Sequence, residues 1–389
     1  MVAGKHIGNA TDLKANNSAA ILRTLYDRSL SRSDLGRACG LTRAAVSDHI
    51  REMIADALVY ETGSSRKVVR GRKPILLEIN PSYAYFGGIY LSRSVCRYGI
   101  TDLKGNTVAS GSLDEMAHMR PNAVLDTVSA RLLEMAEENR ISPEKLAGIG
   151  VSVPGPVNTA DGVILIPPKF GEWHRYPICQ MLTSRTGRPV YVENNAAACT
   201  LAELHFGAGR TYESFLYLLV DSGIGGGIVV GGRRLMDRNG FGSEIGHTSI
   251  QTDGRYCDCG NRGCLERYAS IPTVLRDYFA PEEGVTGWAQ VVDMAEEGDK
   301  RCCEVIEHVA EYLSTTLITF INALEPQAVV LSGDLRYRPA RILALISKRI
   351  QERSMMRDWR RVEVLASELD GSSDLLSAAN IAIDAYIRR

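Results

Sequence analysis

Ser214–Leu235 reads SFLYLLVDSGIGGGIVVGGRRL, and this stretch decides how the body of the 389-residue chain folds. An apolar run, a glycine-rich segment, a second apolar run and Gly231-Gly232 read as strand, turn, strand, turn. The plan has a precedent upstream in Tyr85–Leu113, YFGGIYLSRSVCRYGITDLKGNTVASGSL, with a turn at Lys104-Gly105-Asn106. Helical segments follow each copy, at 121–139 and 299–323. Two similar α/β lobes facing a cleft are the simplest architecture. The GIGGGI run (Gly223–Ile228) has two readings: a phosphate cradle of backbone N–H groups, or a tight hairpin without a ligand.

Between the copies, Val190–Gly209 reads VYVENNAAACTLAELHFGAG: an apolar strand breaks at Glu193-Asn194-Asn195 and continues as a small-residue helix. Polar side chains at such a strand end meet ligands in α/β proteins. Asparagine donates and accepts hydrogen bonds but takes no proton as a general base. VPGPV (Val153–Val157) reads as a cleft rim or a rigid turn, and Trp173 as a lining or a packing residue.

Composition is that of a globular protein, 45% hydrophobic and 23% charged. No window approaches the roughly 18 apolar residues of a membrane span, and the N-terminus lacks a signal-peptide core. A cytoplasmic protein without membrane insertion is expected. Residues 1–80 hold 13 Lys+Arg against 8 Asp+Glu, the remainder 32 against 38, so a basic head sits on an acidic body.

That head reads as three helices and a wing. Ile21, Leu22 and Leu25 give the first helix its apolar face. Ser31 with Asp34 resembles a capping box, and Gly40 suits the stop of the second. Thr42 caps the third, where Val46, Ile50, Met53, Ile54 and Ala57 recur at helical spacing and leave Arg43, Ser47, Asp48 and Arg51 to solvent. The Cys39-Gly40-Leu41 turn makes a helix-turn-helix, followed by two extended runs around Arg70-Gly71-Arg72-Lys73. This is a winged helix-turn-helix for double-stranded DNA, with Thr42, Arg43 and Ser47 at the groove and Arg70, Arg72 and Lys73 on the wing.

Nine cysteines argue against a complete disulfide framework. Cys39, Cys96, Cys179, Cys199, Cys302 and Cys303 read as buried reduced thiols. Cys257, Cys259 and Cys264 follow His247 in GHTSIQTDGRYCDCGNRGCLE (Gly246–Glu266), the donor set of a closed structural Zn²⁺ site. Gly260 and Gly263 let the chain wrap the ion. Glu244 and Glu266 flank the site, as hydroxyl acceptors for a polyol or as solvated glutamates.

Together these residues resemble the ROK proteins (repressors, open reading frames and sugar kinases), in the branch with a winged helix ahead of a sugar-kinase-like body. The zinc signature with GSEIGH is the specific part. The resemblance implies a two-lobed actin-like (ribonuclease H-like) ATPase fold. Its expected divisions are 1–80 for the head, 81–192 for a first lobe completed by a helix at 373–389, and 193–372 for the second. It implies a hexose, hexose derivative or sugar phosphate held by Asn194, Glu244, His247 and Glu266, with the Gly155-Pro156 loop beside them. Asn195 shares that pocket on the present reading.

The departures set the expected activity. ROK kinases follow Glu-Asn with an Asp that takes the sugar proton; Asn195 stands there. Their Asp-x-Gly-Gly-Thr phosphate loop corresponds to Tyr90, Leu91, Ser92, Arg93 and Ser94, and LSGDL (Leu331–Leu335) keeps one glycine of the cluster under the nucleotide. Positioning and electrostatics are nearly all that phosphoryl transfer uses, so these losses exclude it. The expectation is a sugar-responsive DNA-binding regulator, most simply a repressor, acting as a homodimer or homotetramer. A sugar-transport protein is a further partner to test. The alternative is an ATP-dependent sugar kinase with an accessory DNA-binding head.

Overall fold

The computed structural model describes residues 10–64, 75–93, 95–114, 116, 119–168, 170–235, 242–355, 357–369 and 373–388. Contacts divide the chain into two units. The first comprises Met1–Ser152, Pro177–Val192 and Asp374–Arg389; the second comprises Val153–Tyr176 and Glu193–Ser373. Residues 153–176 therefore group with the second unit and not with the expected first lobe. The C-terminal helix groups with the first.

The first unit opens with α1 (Ala10–Asp27), β1 (Leu30–Ser31), α2 (Arg32–Cys39), α3 (Arg43–Ala55), β2 (Val59–Ser64) and β3 (Ile75–Ile79). Local chemistry explains each boundary. Ser31 Oγ accepts the Asp34 N–H at 3.3 Å and donates to its carboxylate at 2.7 Å. Gly40 closes α2 in the left-handed region at φ 66°. Thr42 Oγ1 accepts the Ala45 N–H at 3.2 Å and starts α3. Ile21, Leu35, Val46, Ile50 and Leu77 are buried, and the strands pair in the order β1-β3-β2. This is winged-helix topology.

One residue departs from the expected apolar face. The third helix stops at Ala55, and Ala57 is exposed at φ 58°. The Leu58 N–H bonds the Met53 carbonyl at 2.9 Å, so the chain reverses there into β2. Thr42→Ala removes the cap of α3, and urea titration should show about 1 kcal/mol of lost stability.

The bodies of the two units repeat one plan. In the first, β4 (Tyr85–Leu91), β5 (Cys96–Asp102) and β6 (Thr107–Leu113) form an antiparallel meander. After α4 (Pro121–Glu138), β7 (Leu146–Val153) joins parallel to β4. A small pair, β8 (Val157–Asn158) and β9 (Val163–Ile164), then precedes α5 (Ile178–Thr186) and β10 (Val190–Asn194), which completes the order β10-β7-β4-β5-β6.

In the second unit α6 (Asn195–Phe206) leads into the meander β11 (Phe215–Val220), β12 (Ile224–Val230) and β13 (Arg233–Arg234). Helices α7 (Glu266–Ala269), α8 (Ile271–Tyr278), α9 (Trp288–Glu296) and α10 (Lys300–Leu324) come next. They are followed by β14 (Ala328–Gly333), α11 (Ala340–Arg353) and β15 (Glu363–Ala366), giving the order β13-β12-β11-β14-β15. Strand β14 is parallel to β11 as β7 is to β4, a pairing that requires a crossover such as α4 or α10.

Glycines decide which helix each sheet receives. The last helix, α12 (Ser373–Arg388), lies on the first sheet. A Cβ at Gly150 would stand 1.9 Å from the Ala378 carbonyl oxygen, and one at Gly88 2.7 Å from that of Leu375. In the second unit, α6 lies on β12: a Cβ at Gly225 would meet Ala196 at 2.5 Å, and one at Gly227 would meet Thr200 Oγ1 at 1.9 Å. Within the GIGGGI run, Gly225–Gly227 are strand residues paired with β11 and not a turn; the side chains that Gly225 and Gly227 lack make room for α6, and the one that Gly226 lacks makes room for Ile245.

Trp173 is a packing residue, buried and stacked on Phe170 with centroids 5.3 Å apart. Among the described residues no helix is long and apolar enough to cross a membrane.

Candidate functional site

Within the second unit, the expected site residues converge on the start of α6 and the edge of β12. Asn194 is the N-cap of α6, its Oδ1 accepting the N–H of Ala196 at 2.8 Å and of Ala197 at 3.4 Å. Its Nδ2 faces Gly155, where an added Cβ would lie 2.4 Å away. The glycine of VPGPV therefore lets that loop approach the asparagine amide. Asn195 is the first residue of α6. On the neighbouring strand, the Ile224 N–H donates to Glu266 Oε2 at 3.0 Å. Gly246, between Glu244 and His247, is pressed against the Ile224 carbonyl, which a Cβ would meet at 2.0 Å.

Glu244 sits in a mixed field. Although the residue is exposed, desolvation by its neighbours pushes its carboxyl above the ordinary carboxylate range, the His247 imidazole pulls it down, and the Glu266 charge pushes it up. Glu244, His247 and Glu266 thus form one polar face of the second unit, and Asn194 and Asn195 open α6 in the same unit. Such a set donates to and accepts from vicinal hydroxyls, and none of the amides accepts a proton.

The cysteine cluster lies next to this face. One donor atom each from His247, Cys257, Cys259 and Cys264 falls within 4.8 Å of all the others. Cys257 Sγ is 3.6 Å from His247 Nδ1, and Cys259 Sγ is 3.7 Å from Cys264 Sγ. Ligands about 2.3 Å from a tetrahedral ion stand about 3.8 Å apart, so the separations fit the donor set. Burial pushes the Cys264 thiol up to about 12 and raises Cys257 as well, so without a metal these two are neutral thiols. A divalent cation reverses that balance by binding thiolate.

The backbone builds the cluster. Cys257 N–H bonds the Asn261 carbonyl at 2.9 Å, and Gly260 N–H bonds that of Cys257 at 2.9 Å. Gly260 and Gly263 have φ of 92° and 73°, and a Cβ on Gly263 would meet the Gln251 carbonyl at 1.8 Å. Only glycine meets both demands at position 263.

Two buried carboxylates have partners that sequence reasoning missed. Glu193 accepts the Asn194 N–H at 3.1 Å and pairs with Arg234 on β13, both side chains buried. Glu203 on α6 accepts the Ala208 N–H at 3.0 Å and the Ser367 hydroxyl. No local pattern signals either contact, because Arg234 and Ser367 lie 41 and 164 residues along the chain.

Burial raises the Glu203 pKa, against the lowering effects of Ser367 and Ala208. The folded state therefore holds this proton above the pH at which the unfolded chain, near 4.5, releases it. Stability then falls as pH rises from about 4.5 toward the folded value. Glu203→Gln can accept the Ala208 N–H on its oxygen and donate its amide to the Ser367 oxygen, and should flatten that decline in urea melts across pH 4 to 8.

Of the loops that the resemblance places at kinase phosphate sites, one holds a hydrogen-bonded turn and the other an acidic pair. Ser92 seals the β4–β5 turn: its N–H bonds the Val95 carbonyl at 2.9 Å and its Oγ accepts the Val95 N–H at 3.0 Å. Ser94 lies outside the described residues. At the ends of β11 and β14, burial and then the Asp221 charge push Asp334 above its usual range. An acidic pair repels a phosphate. Gly333 has φ 74° and lies against the Val220 carbonyl, 2.3 Å from an added Cβ, so it serves strand packing.

In the head, Thr42 and Arg43 are exposed at the start of α3. Ser47 spends its hydroxyl proton on the Arg43 carbonyl at 2.8 Å, leaving its oxygen as an acceptor. Arg70, Arg72 and Lys73 fall outside the described residues.

The ROK family model matches residues 86–385. The xylose repressor of Bacillus subtilis (strain 168) is 26% identical over 389 residues, spanning 98% of both chains. The crystal structure of a ROK family transcriptional regulator, a homolog of E. coli MLC protein, has a TM-score of 0.81 at 24% identity and spans 97% of both chains. A ROK hexokinase from Thermus thermophilus, 28% identical with a TM-score of 0.67, covers 78% of this chain and 99% of its own. The chain belongs to the ROK family.

Proposed function

We infer that this protein is a sugar-responsive DNA-binding transcriptional regulator, a repressor whose kinase-like body binds a hexose, pentose or derivative without phosphorylating it. The observation that carries the reading is a winged-helix head joined to a ROK body with Asn195 where the kinases place their proton acceptor. The full-length likeness to a xylose repressor supports it, as does the hexokinase match over only 78% of the chain. The sealed Ser92 turn and the Asp221–Asp334 pair further disfavour phosphoryl transfer.

In this reading Asn194, Asn195, Glu244, His247, Glu266 and the Gly155 loop bind the sugar. Zn²⁺ is held by His247 Nδ1 and the thiolates of Cys257, Cys259 and Cys264, a closed set that supplies structure and no open position for a substrate. The sugar alters DNA binding only through different affinities for the DNA-competent and DNA-incompetent states. The protein acts as a homodimer or homotetramer in the cytoplasm, and a sugar-transport protein is a candidate additional partner.

The test is a gel-shift titration of operator DNA against a sugar library containing xylose, glucose, N-acetylglucosamine and their phosphates. One sugar should change operator affinity at least about fivefold. Glu266→Gln should weaken that sugar at least about tenfold in calorimetry, since a half-buried hydrogen-bond acceptor becomes a mismatched amide. Turnover of ATP with any of these sugars, abolished by Glu266→Ala, would overturn the reading.

A further inference from the structure

The four donors of the metal cluster are not equally accessible. Cys257 and Cys264 are 1% and 0% exposed, whereas Cys259 is exposed. Cys259 and Cys264 also form the close thiol pair, at 3.7 Å, while Cys257 is turned to His247.

The two sides of that pair differ in freedom. Cys264 is anchored: it bridges Ser249, and the next N–H, of Leu265, bonds the Thr248 carbonyl at 2.9 Å. Cys259 lies beside Gly260, around which an added Cβ would meet nothing within 4 Å. Closing the gap to the roughly 2.05 Å of a disulfide therefore asks movement of the exposed glycine knuckle and leaves the anchored strand in place.

We propose that Cys259 and Cys264 are an oxidant-sensitive thiol pair whose conversion to a disulfide releases the metal. The oxidant is hydrogen peroxide. The Cys259 thiolate attacks one peroxide oxygen, the O–O bond breaks, and Cys259 becomes a sulfenic acid while the other oxygen leaves as hydroxide and takes one proton to form water. The Cys264 thiolate then attacks the Cys259 sulfur, the S–O bond breaks, and the departing hydroxide takes one proton from solvent to form a second water. Both thiolates together lose two electrons, one per sulfur, and Zn²⁺ departs unchanged because two of its four ligands are gone. Glu266 stands two residues beyond Cys264, so the same event alters the sugar-binding face.

The proposal rests on the zinc reading above, and one experiment separates the two. Full-length protein is treated with one equivalent of hydrogen peroxide, released zinc is read with a chromophoric chelator, and a non-reducing digest with trypsin and an Asp-specific protease is mapped by mass spectrometry. Cleavage before Asp258 and after Arg262 places the three cysteines on separate peptides. The expected result is release of zinc with a cross-link between the peptides of Cys259 and Cys264, reversed by thiol and added zinc.

In the wild-type protein a dimedone probe added with the peroxide should label Cys259 and not Cys264, because Cys259 is the accessible sulfur. A Cys257–Cys264 cross-link, dimedone label on Cys264 in place of Cys259, or zinc retained with no cross-link overturns the proposal and leaves the zinc reading standing. Protein that contains no zinc yet forms the Cys259–Cys264 cross-link overturns the metal reading alone.

Discussion

Cys264→Ser is expected to reduce bound zinc from one ion per chain to none after gel filtration and to lower stability by at least about 3 kcal/mol, since metal binding free energy is folding free energy at such sites. The loss spreads because Cys264 is fully buried and continuous with the core. Leu265 and Ala269, in and beside α7, belong to the same buried cluster as Val305, Leu313 and Leu331. Glu266 loses its anchor along with them, so sugar-induced thermal stabilisation should vanish too. Metal analysis beside a urea titration checks this. A variant that keeps one zinc, or loses less than about 1 kcal/mol with its zinc, would show that the cluster does not hold the fold of this region.

Gly150→Val should be the most damaging single change in the first unit. A Cβ there would lie 1.9 Å from the Ala378 carbonyl oxygen and 3.0 Å from its carbon. Both are backbone atoms, so relief requires lifting α12 from the sheet rather than turning a side chain. Ala378, Ala379, Ala382 and Ile383 would then be uncovered, all of them buried. Overpacking costs about 1–3 kcal/mol when neighbours adjust, and more where a helix must leave its seat. A loss above about 3 kcal/mol with early proteolysis of the C-terminal helix is expected. Gly171→Ala, where an added Cβ meets nothing within 4 Å, should stay within about 0.5 kcal/mol and serves as the control.

Some elements were readable because their determinants are neighbours in sequence. Ser31, Gly40 and Thr42 mark helix ends through contacts three or four residues away, so the head's helix-turn-helix was legible in order, and only the C-terminal end of α3 fell short of the expected Ala57. The metal donors are legible for a related reason: Cys257, Cys259 and Cys264 lie in one short loop, and only His247 comes from outside it. The substitution of Asn195 for a proton acceptor is also local, a matter of one side chain's chemistry.

Other features are decided at a distance. Gly225–Gly227 looked like a turn because glycine runs usually are turns; strand pairing to β11 and the need to seat Ala196 and Thr200 made them strand. The grouping of residues 153–176 with the second unit and the burial of Glu193 and Glu203 each depend on contacts far along the chain.

By itself, then, the sequence determined the caps, the candidate metal-donor set and the asparagine at 195, since each is a property of adjacent residues. Only the tertiary structure decided what the glycines are for, which of three thiols meets solvent, and which carboxylates are buried. Those depend on backbone surfaces brought within a few ångströms by folding, and local pattern carries no record of them.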